Sequence, residues 1–126
     1  MGDPIIIGSD HRGASLKEAL RRELTSAGYE VRDVGPHDDA SVDYPQFAAL
    51  AARAVADGEV PRGIVICGSG LGVMYTANRF AGVRCAGVQD VVAAEMCRRH
   101  NDANMLAVPA DRLSEEIAWD LVQTWL

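Results

Sequence analysis

Short apolar runs alternate with helical segments along the whole chain, and this alternation constrains the fold more than any other feature. Five apolar runs have the length of buried strands: 4–8, 29–34, 63–66, 83–88 and 104–108. Five segments have the pattern of helices: 14–27, 47–56, 73–80, 91–100 and 113–125. Strands that alternate with helices form a parallel sheet covered on both faces. We therefore predict an α/β fold, a single three-layer Rossmann-like (flavodoxin-like) domain with a five-stranded parallel sheet over residues 1–126.

Polar residues directly follow several of the predicted strands. The junctions are 9–11, 67–69 and the loop 33–43. In sheets of this type, ligands bind beyond the carboxyl ends of the strands. We therefore expect these three junctions to share one edge of the sheet and to form a site there.

Cys67 ends the third predicted strand and precedes a glycine-rich turn that leads into a helix. The turn is Gly68, Ser69, Gly70, Leu71 and Gly72. Backbone N–H groups in such a turn can converge on an anion, and these surroundings favour the thiolate form of a cysteine. A thiolate there can take a proton from carbon or attack an electrophile. The alternative interpretation is a small buried cysteine in a tight turn.

Two further polar clusters are candidates for chemistry. Asp10 and His11 follow the first strand, where they can relay hydroxyl protons or hold an anion. The alternative is an Asp that caps the next helix beside an exposed His. The second cluster, 98–102, ends the fourth helix, where cations also have a plain stabilising role. Neither cluster has a second His or Cys at metal-ligand spacing, so we predict no metal.

Composition excludes several classes of protein. The chain has 12 Lys and Arg against 18 Asp and Glu, a net charge of -6, which argues against a nucleic-acid-binding surface. No apolar stretch approaches the ~18 residues of a membrane span, and no signal peptide precedes the first strand. Three cysteines are an odd count without close pairing. This argues against a disulfide framework and favours a cytoplasmic location.

Taken together, the motifs resemble one family, the type B ribose-5-phosphate isomerases and the related galactose-6-phosphate isomerase subunits. No single motif is specific, but their order along nearly the whole chain is. The matching stretches are 8–13 (GSDHRG), 17–18, 42–45, 63–72 (GIVICGSGLG), 77–79, 82–84 and 100–104 (HNDAN).

The resemblance implies catalytic roles for four residues. Cys67 is the base that moves a proton between C1 and C2 of an open-chain sugar, and the 68–72 backbone stabilises the enediolate oxygen. His100 opens the furanose ring, and Asp10 handles hydroxyl protons. Ser69 stands where the family usually has Thr and keeps the hydroxyl.

The resemblance also implies binding residues and partners. His11 lies near the substrate phosphate, Tyr44 lines the pocket, and Asn101 binds the enediolate or a hydroxyl. The family needs no cofactor or metal. It forms homodimers or homotetramers whose sites are built from two subunits.

Three departures from the family pattern concern the phosphate end of the site. The family usually continues into an Arg-rich tail that reaches the partner's phosphate site, whereas this chain stops at Leu126. After the fifth strand, Asp111 holds the position of the usual Arg, and Arg112 comes one residue late. Arg12 replaces the small residue usual after Asp-His. Our hypothesis is that Arg12 contributes to a rebuilt anion site. Arg112 is also predicted to bind substrate. The alternative for Arg12 is an exposed residue in the first turn of a helix.

The resulting functional prediction is an aldose–ketose isomerase acting on a small sugar phosphate of the ribose 5-phosphate/ribulose 5-phosphate type. Three alternatives stay open. One is a family member that acts on a different or non-phosphorylated small polar substrate. Another is a non-catalytic partner subunit. Nucleotide or flavin binding, the third, rests on fold analogy alone.

Overall fold

In the computed structural model, strands and helices alternate as predicted. It describes residues 2–37 and 44–126, with side chains at 3–37 and 45–126. The strands are β1 (Gly2–Ser9), β2 (Tyr29–Gly35), β3 (Arg62–Cys67), β4 (Cys85–Gly87) and β5 (Met105–Pro109). The helices are α1 (Ala14–Ser26), α2 (Tyr44–Ala56), α3 (Leu71–Ala77), α4 (Val91–Asn101) and α5 (Glu115–Trp125).

All strand pairs of the sheet are parallel, and the order is β2-β1-β3-β5-β4. The α/β fold with a five-stranded parallel sheet is thereby confirmed. The flavodoxin order is 2-1-3-4-5, so the last two strands are exchanged here. As a result β5 lies inside the sheet, and the three-residue β4 forms its edge.

The helices cover both faces of the sheet, and each face has its own core. One core contains α1, α4 and α5, and the other contains α2 and α3. Side chains of β3 alternate between the two, since Ile64 and Ile66 belong to the first core and Val65 and Cys67 to the second. The side chain of Cys67 therefore points toward the α2/α3 layer.

Helix α3 begins at Leu71, two residues earlier than the sequence pattern predicts. Gly70 turns the chain with φ +78°, and the Oγ of Ser69 accepts a hydrogen bond from the N–H of Leu71 at 3.1 Å. The helix ends early because the side chain of Asn78 pairs with the backbone of Cys85. It donates to the carbonyl at 2.9 Å and accepts from the N–H at 2.8 Å.

A buried ion pair fixes α1 against the end of β2. Lys17 is only 2% exposed, and its Nζ donates to both carboxylate oxygens of Asp33, at 2.8 and 2.6 Å. Asp33 also accepts from the N–H of Gly35 at 2.8 Å. Within the part of the chain that the structure describes, no helix is long and apolar enough to cross a membrane.

Candidate active site

The turns after β1 and β3 meet at the carboxyl edge of the sheet. The N–H of Asp10 donates to the carbonyl of Ile66 at 3.1 Å, and Oδ1 of Asp10 accepts from the N–H of Gly13 at 2.9 Å. A β-carbon at Gly13 would stand 2.9 Å from the Ile66 oxygen, so a glycine is required. The prediction that these two junctions share one edge is confirmed. Much of the third junction, 38–43, lies outside the described residues.

Cys67 lies at the centre of this edge. Its side chain is 5% exposed, and its Sγ accepts a hydrogen bond from the backbone N–H of Gly70 at 3.2 Å. This bond places the sulfur inside the glycine turn, beside the first residues of α3. The structure therefore puts a single thiol where the sequence predicts a base.

The other two cysteines have surroundings that suppress ionisation. Burial raises the pKa of Cys85 from 9.0 to about 12, with a smaller contribution from nearby Cys97. Burial also raises the pKa of Cys97, against the opposing charge of Arg98. Both lie away from the carboxyl edge and are unsuited to act as thiolates near neutral pH.

The turn after β5 is bonded directly to the cysteine turn. The N–H of Ala110 donates to the carbonyl of Cys67 at 2.8 Å, and the N–H of Asp111 donates to the carbonyl of Gly68 at 3.0 Å. Ser69 is exposed beside them. The edge therefore combines turns from β1, β3 and β5.

Arg12 forms an ion pair with Asp111, with Nη2 and Oδ2 2.5 Å apart. The side chains are 58% and 43% exposed. The hydrogen bond to Asp111 raises the pKa of Arg12 above its already high ordinary value, so the guanidinium stays charged. The pair lies directly beside Gly68. A β-carbon at this position would be 2.6 Å from Oδ2 of Asp111 and 2.8 Å from Nε of Arg12.

Three of the remaining predicted binding residues at this edge, His11, Leu71 and Arg112, have exposed side chains. His11 and Arg112 are exposed on the turns after β1 and β5. Tyr44 begins α2, but its side chain lies outside the described residues. Leu71 is 49% exposed at the start of α3, and Gly72 follows it.

His100 and Asn101 lie at the other end of the strands, where the amino ends of the strands meet. Both are exposed in the last turn of α4, which leads into the first residue of β5. The carbonyl of Asn101 accepts from Nε of Arg84 at 2.6 Å, just before β4 begins. Cys67 pairs with Pro109 at the far end of β5, so the length of that strand, about 13 Å, separates the two groups. One chain alone does not bring them together.

Asp111 lies at the candidate site although the sequence motifs do not mark it as a catalytic or binding residue. In the sequence it stands out only as a departure from the family pattern. The signal that identifies it is its place directly after β5, since polar residues after parallel strands gather at one edge. Across residues 2–37 and 44–126, no group of three or more His, Cys, Asp or Glu side chains could hold a metal ion.

Known proteins match this chain over nearly its full length. The model of the family described as Ribose/Galactose Isomerase matches residues 5–126. Ribose-5-phosphate isomerase B of Escherichia coli is 41% identical over 97% of this chain and 82% of its own length. The structure of Clostridium thermocellum ribose-5-phosphate isomerase B has a TM-score of 0.95 at 48% identity, covering 97% of this chain and 82% of that one. The Mycoplasma genitalium enzyme with bound ribulose-5-phosphate has a TM-score of 0.94 at 35% identity, covering 99% and 84%.

Proposed function

Because the chain belongs to the ribose/galactose isomerase family and is an aldose–ketose isomerase, we propose that it acts on a sugar phosphate of the ribose 5-phosphate/ribulose 5-phosphate type. The ribulose-5-phosphate bound to the Mycoplasma genitalium relative supports this substrate class. The observation that carries the proposal is the Cys67 sulfur held inside a glycine turn at the carboxyl edge of the sheet.

Cys67 is the proposed base. Its thiolate takes the proton from C2 of the open-chain aldose, and the electron pair left behind forms the C1–C2 double bond of an enediolate. The carbonyl oxygen on C1 takes up the negative charge, which backbone N–H groups of residues 68–72 stabilise. Return of the proton to C1 and transfer of the O2 proton to O1 complete the ketose. This position supports the role because the sulfur and the turn are fixed to each other.

Asp10 is the proposed carrier of hydroxyl protons. Its side chain is buried to 8% exposure, and only Oδ1 is used by the N–H of Gly13. Among the described residues, Oδ2 has no hydrogen-bond partner, and this oxygen is the proposed group that carries a proton between O1 and O2. Ser69 contributes a hydroxyl beside the turn, while its oxygen also supports the start of α3.

A second copy of the chain supplies the remaining groups in this proposal. The partner's His100 opens the sugar ring and the partner's Asn101 binds the enediolate, since neither can reach Cys67 within one chain. Exposed apolar side chains on α3 and α4 support a homodimer or homotetramer, namely Leu71, Tyr75, Val91, Val92 and Met96. These helices flank the edge strand β4, where a partner would cover them.

His11, Arg12, Tyr44 and Arg112 are the proposed contacts to the rest of the sugar. The first two follow β1, and Arg112 follows β5, so they surround the cysteine turn on two sides. A reducing cytoplasm is the proposed location, which the three unpaired cysteines support.

Kinetics on a panel of aldose phosphates and free aldoses test the proposed function. Wild type converts at least one phosphorylated aldose to its ketose, and Cys67→Ala reduces kcat by about 10²–10⁴-fold because the proton-transfer base is gone. Cys85→Ala is the matched control, since it removes a buried thiol away from the edge and leaves the rate nearly unchanged. If no aldose shows Cys67-dependent ketose formation, the proposal is wrong.

A further inference from the structure

The Arg12–Asp111 pair is held firmly beside the cysteine turn. Hydrogen bonds from the turn after β5 to the Cys67 and Gly68 carbonyls fix the backbone of Asp111. Arg12 reaches across from the turn after β1, and its Nε lies 2.8 Å from the place that a β-carbon of Gly68 would take. The pair thus joins two walls of the site immediately next to the residue proposed as base.

Most of the hydrogen-bonding capacity of this pair is unused. Among the described residues, Arg12 donates only through Nη2, and only to Oδ2 of Asp111. Its other guanidinium N–H groups and the Oδ1 of Asp111 have no hydrogen-bond partner there. Both side chains are about half exposed. The pair therefore presents donors and an acceptor side by side to whatever occupies the site.

These donors and this acceptor suit a hydroxyl group better than a phosphate. A hydroxyl accepts from the guanidinium and donates to the carboxylate at the same time. A phosphate dianion only accepts hydrogen bonds. The negative charge of Asp111 repels it, and it would have to compete with Asp111 for Arg12. The carboxylate also neutralises the charge that would otherwise attract the dianion.

We propose that the Arg12–Asp111 pair is a specificity determinant that binds hydroxyl groups of the sugar chain and opposes a phosphate dianion on this side of the site. The inference rests on the proposed sugar-isomerase function. It means that a phosphorylated substrate places its phosphate away from Asp111. It differs from the hypothesis that Arg12 belongs to a rebuilt anion site, because the guanidinium is already paired with the carboxylate of Asp111.

Binding of two polyols tests the proposal without any catalysis. Ribitol and ribitol 5-phosphate differ only in the phosphate, and neither has a carbonyl group to isomerise. Calorimetry gives the Kd of each for the full wild-type chain, Asp111→Asn and Arg12→Ala. Asp111→Asn raises the ratio of the ribitol Kd to the ribitol 5-phosphate Kd by about tenfold, because it removes a negative charge beside the ligand. Arg12→Ala weakens ribitol binding by about threefold to tenfold through lost donors.

Glu18→Gln is the matched control. Glu18 is an exposed carboxylate in an ion pair with Arg21 on α1, and its neutralisation changes the net charge by the same amount. The proposal is overturned if Asp111→Asn leaves the Kd ratio within twofold of wild type, if Glu18→Gln shifts it equally, or if wild type binds neither polyol. Failure of the proposed function is distinguishable, since it shows as absent Cys67-dependent turnover while the binding ratio still shifts.

Discussion

The backbone N–H of Gly70 donates to Sγ of Cys67 across 3.2 Å, and the backbone conformation and surroundings of Gly70 both disfavour a side chain there. Gly70 has φ +78°, and a β-carbon there would stand 3.2 Å from the backbone nitrogen of Pro109. The turn that holds the sulfur therefore packs directly against the end of β5. Gly70 therefore both contacts the end of β5 and holds the thiol of Cys67.

Gly70→Ala is predicted to lower both stability and activity. Gly58 is the matched control, since it has nearly the same φ of +77° but nothing within 4 Å of an added β-carbon. Gly58→Ala costs about 1 kcal/mol of unfolding free energy from the left-handed backbone alone. Gly70→Ala costs about 1–3 kcal/mol more, because Pro109 has to move. Denaturant unfolding measures the difference, and equal losses would contradict the contact.

The kcat/KM of Gly70→Ala is predicted to fall by about 10²-fold, since a shift of the sulfur by about 1 Å misplaces the base. Gly58→Ala keeps wild-type kinetics because Gly58 ends α2, far from the carboxyl edge. A Gly70→Ala enzyme that is destabilised but fully active would show that the turn does not position the thiol.

Mixed dimers are predicted to restore activity from two inactive variants. Cys67→Ala and His100→Ala each remove one group of the proposed shared site. In a dimer with one copy of each, one of the two sites has both groups intact, so random mixing after unfolding and refolding yields about a quarter of wild-type activity. Activity assays of the mixture and of each variant alone measure this. Zero recovery, with dimers present by light scattering, would place both groups in one chain.

The unfolding free energy is predicted to fall above pH 9 through Cys85. Its folded pKa of about 12 lies above the ordinary value of 9.0, so the unfolded chain loses this proton first. The stability is therefore complete below pH 9 and declines toward pH 12, with a slope of about 1.4 kcal/mol per pH unit from this group. Between pH 9 and 12, Cys85→Ala shows a correspondingly shallower decline. Val83→Ala, a buried substitution nearby, lowers stability but keeps the wild-type slope.

Loss of one partner of the Lys17–Asp33 pair is predicted to destabilise the fold more than loss of both. Lys17→Met leaves the Asp33 carboxylate, 12% exposed, without its cation and costs about 3–5 kcal/mol of unfolding free energy. Replacing both residues, as in Lys17→Met with Asp33→Leu, recovers much of that loss. Arg21→Met, which breaks an exposed pair on the same helix, changes the unfolding midpoint little. A single Lys17→Met variant as stable as wild type would contradict this role.

Periodicity was sufficient for the element order but not for the element ends. Helix α1 begins at Ala14 as predicted and ends at Ser26, one residue before the predicted end. Helix α5 begins at Glu115, two residues later than predicted, since Ser114 caps it by accepting from the N–H of Ile117 at 3.2 Å. Ends depend on single hydrogen bonds that periodicity does not contain. The exchange of β4 and β5 depends on how whole layers pack, so it cannot be predicted from a local sequence pattern.

The candidate site divides in the same way. That Asp10 and Cys67 share one edge follows from the strand-end rule alone. The same rule places the end of α4, and with it His100, at the other edge, although the sequence motifs do not show this. The Arg12–Asp111 pair was not predictable, because it joins turns 99 residues apart. Its formation depends on β5 lying beside β3.

Because β5 lies between β3 and β4, the strand order determines when β4 can join the sheet during synthesis. A nascent chain that ends before Met105 can assemble β2, β1 and β3, but Cys85–Gly87 has no neighbouring strand to pair with. The bonds from Ala110 and Asp111 that complete the cysteine turn are also missing at that stage. The β3 edge that later pairs with β5 therefore stays open while the residues between Cys67 and Met105 are synthesised. The candidate site at the carboxyl edge and the last strand pairing are therefore completed together, late in synthesis.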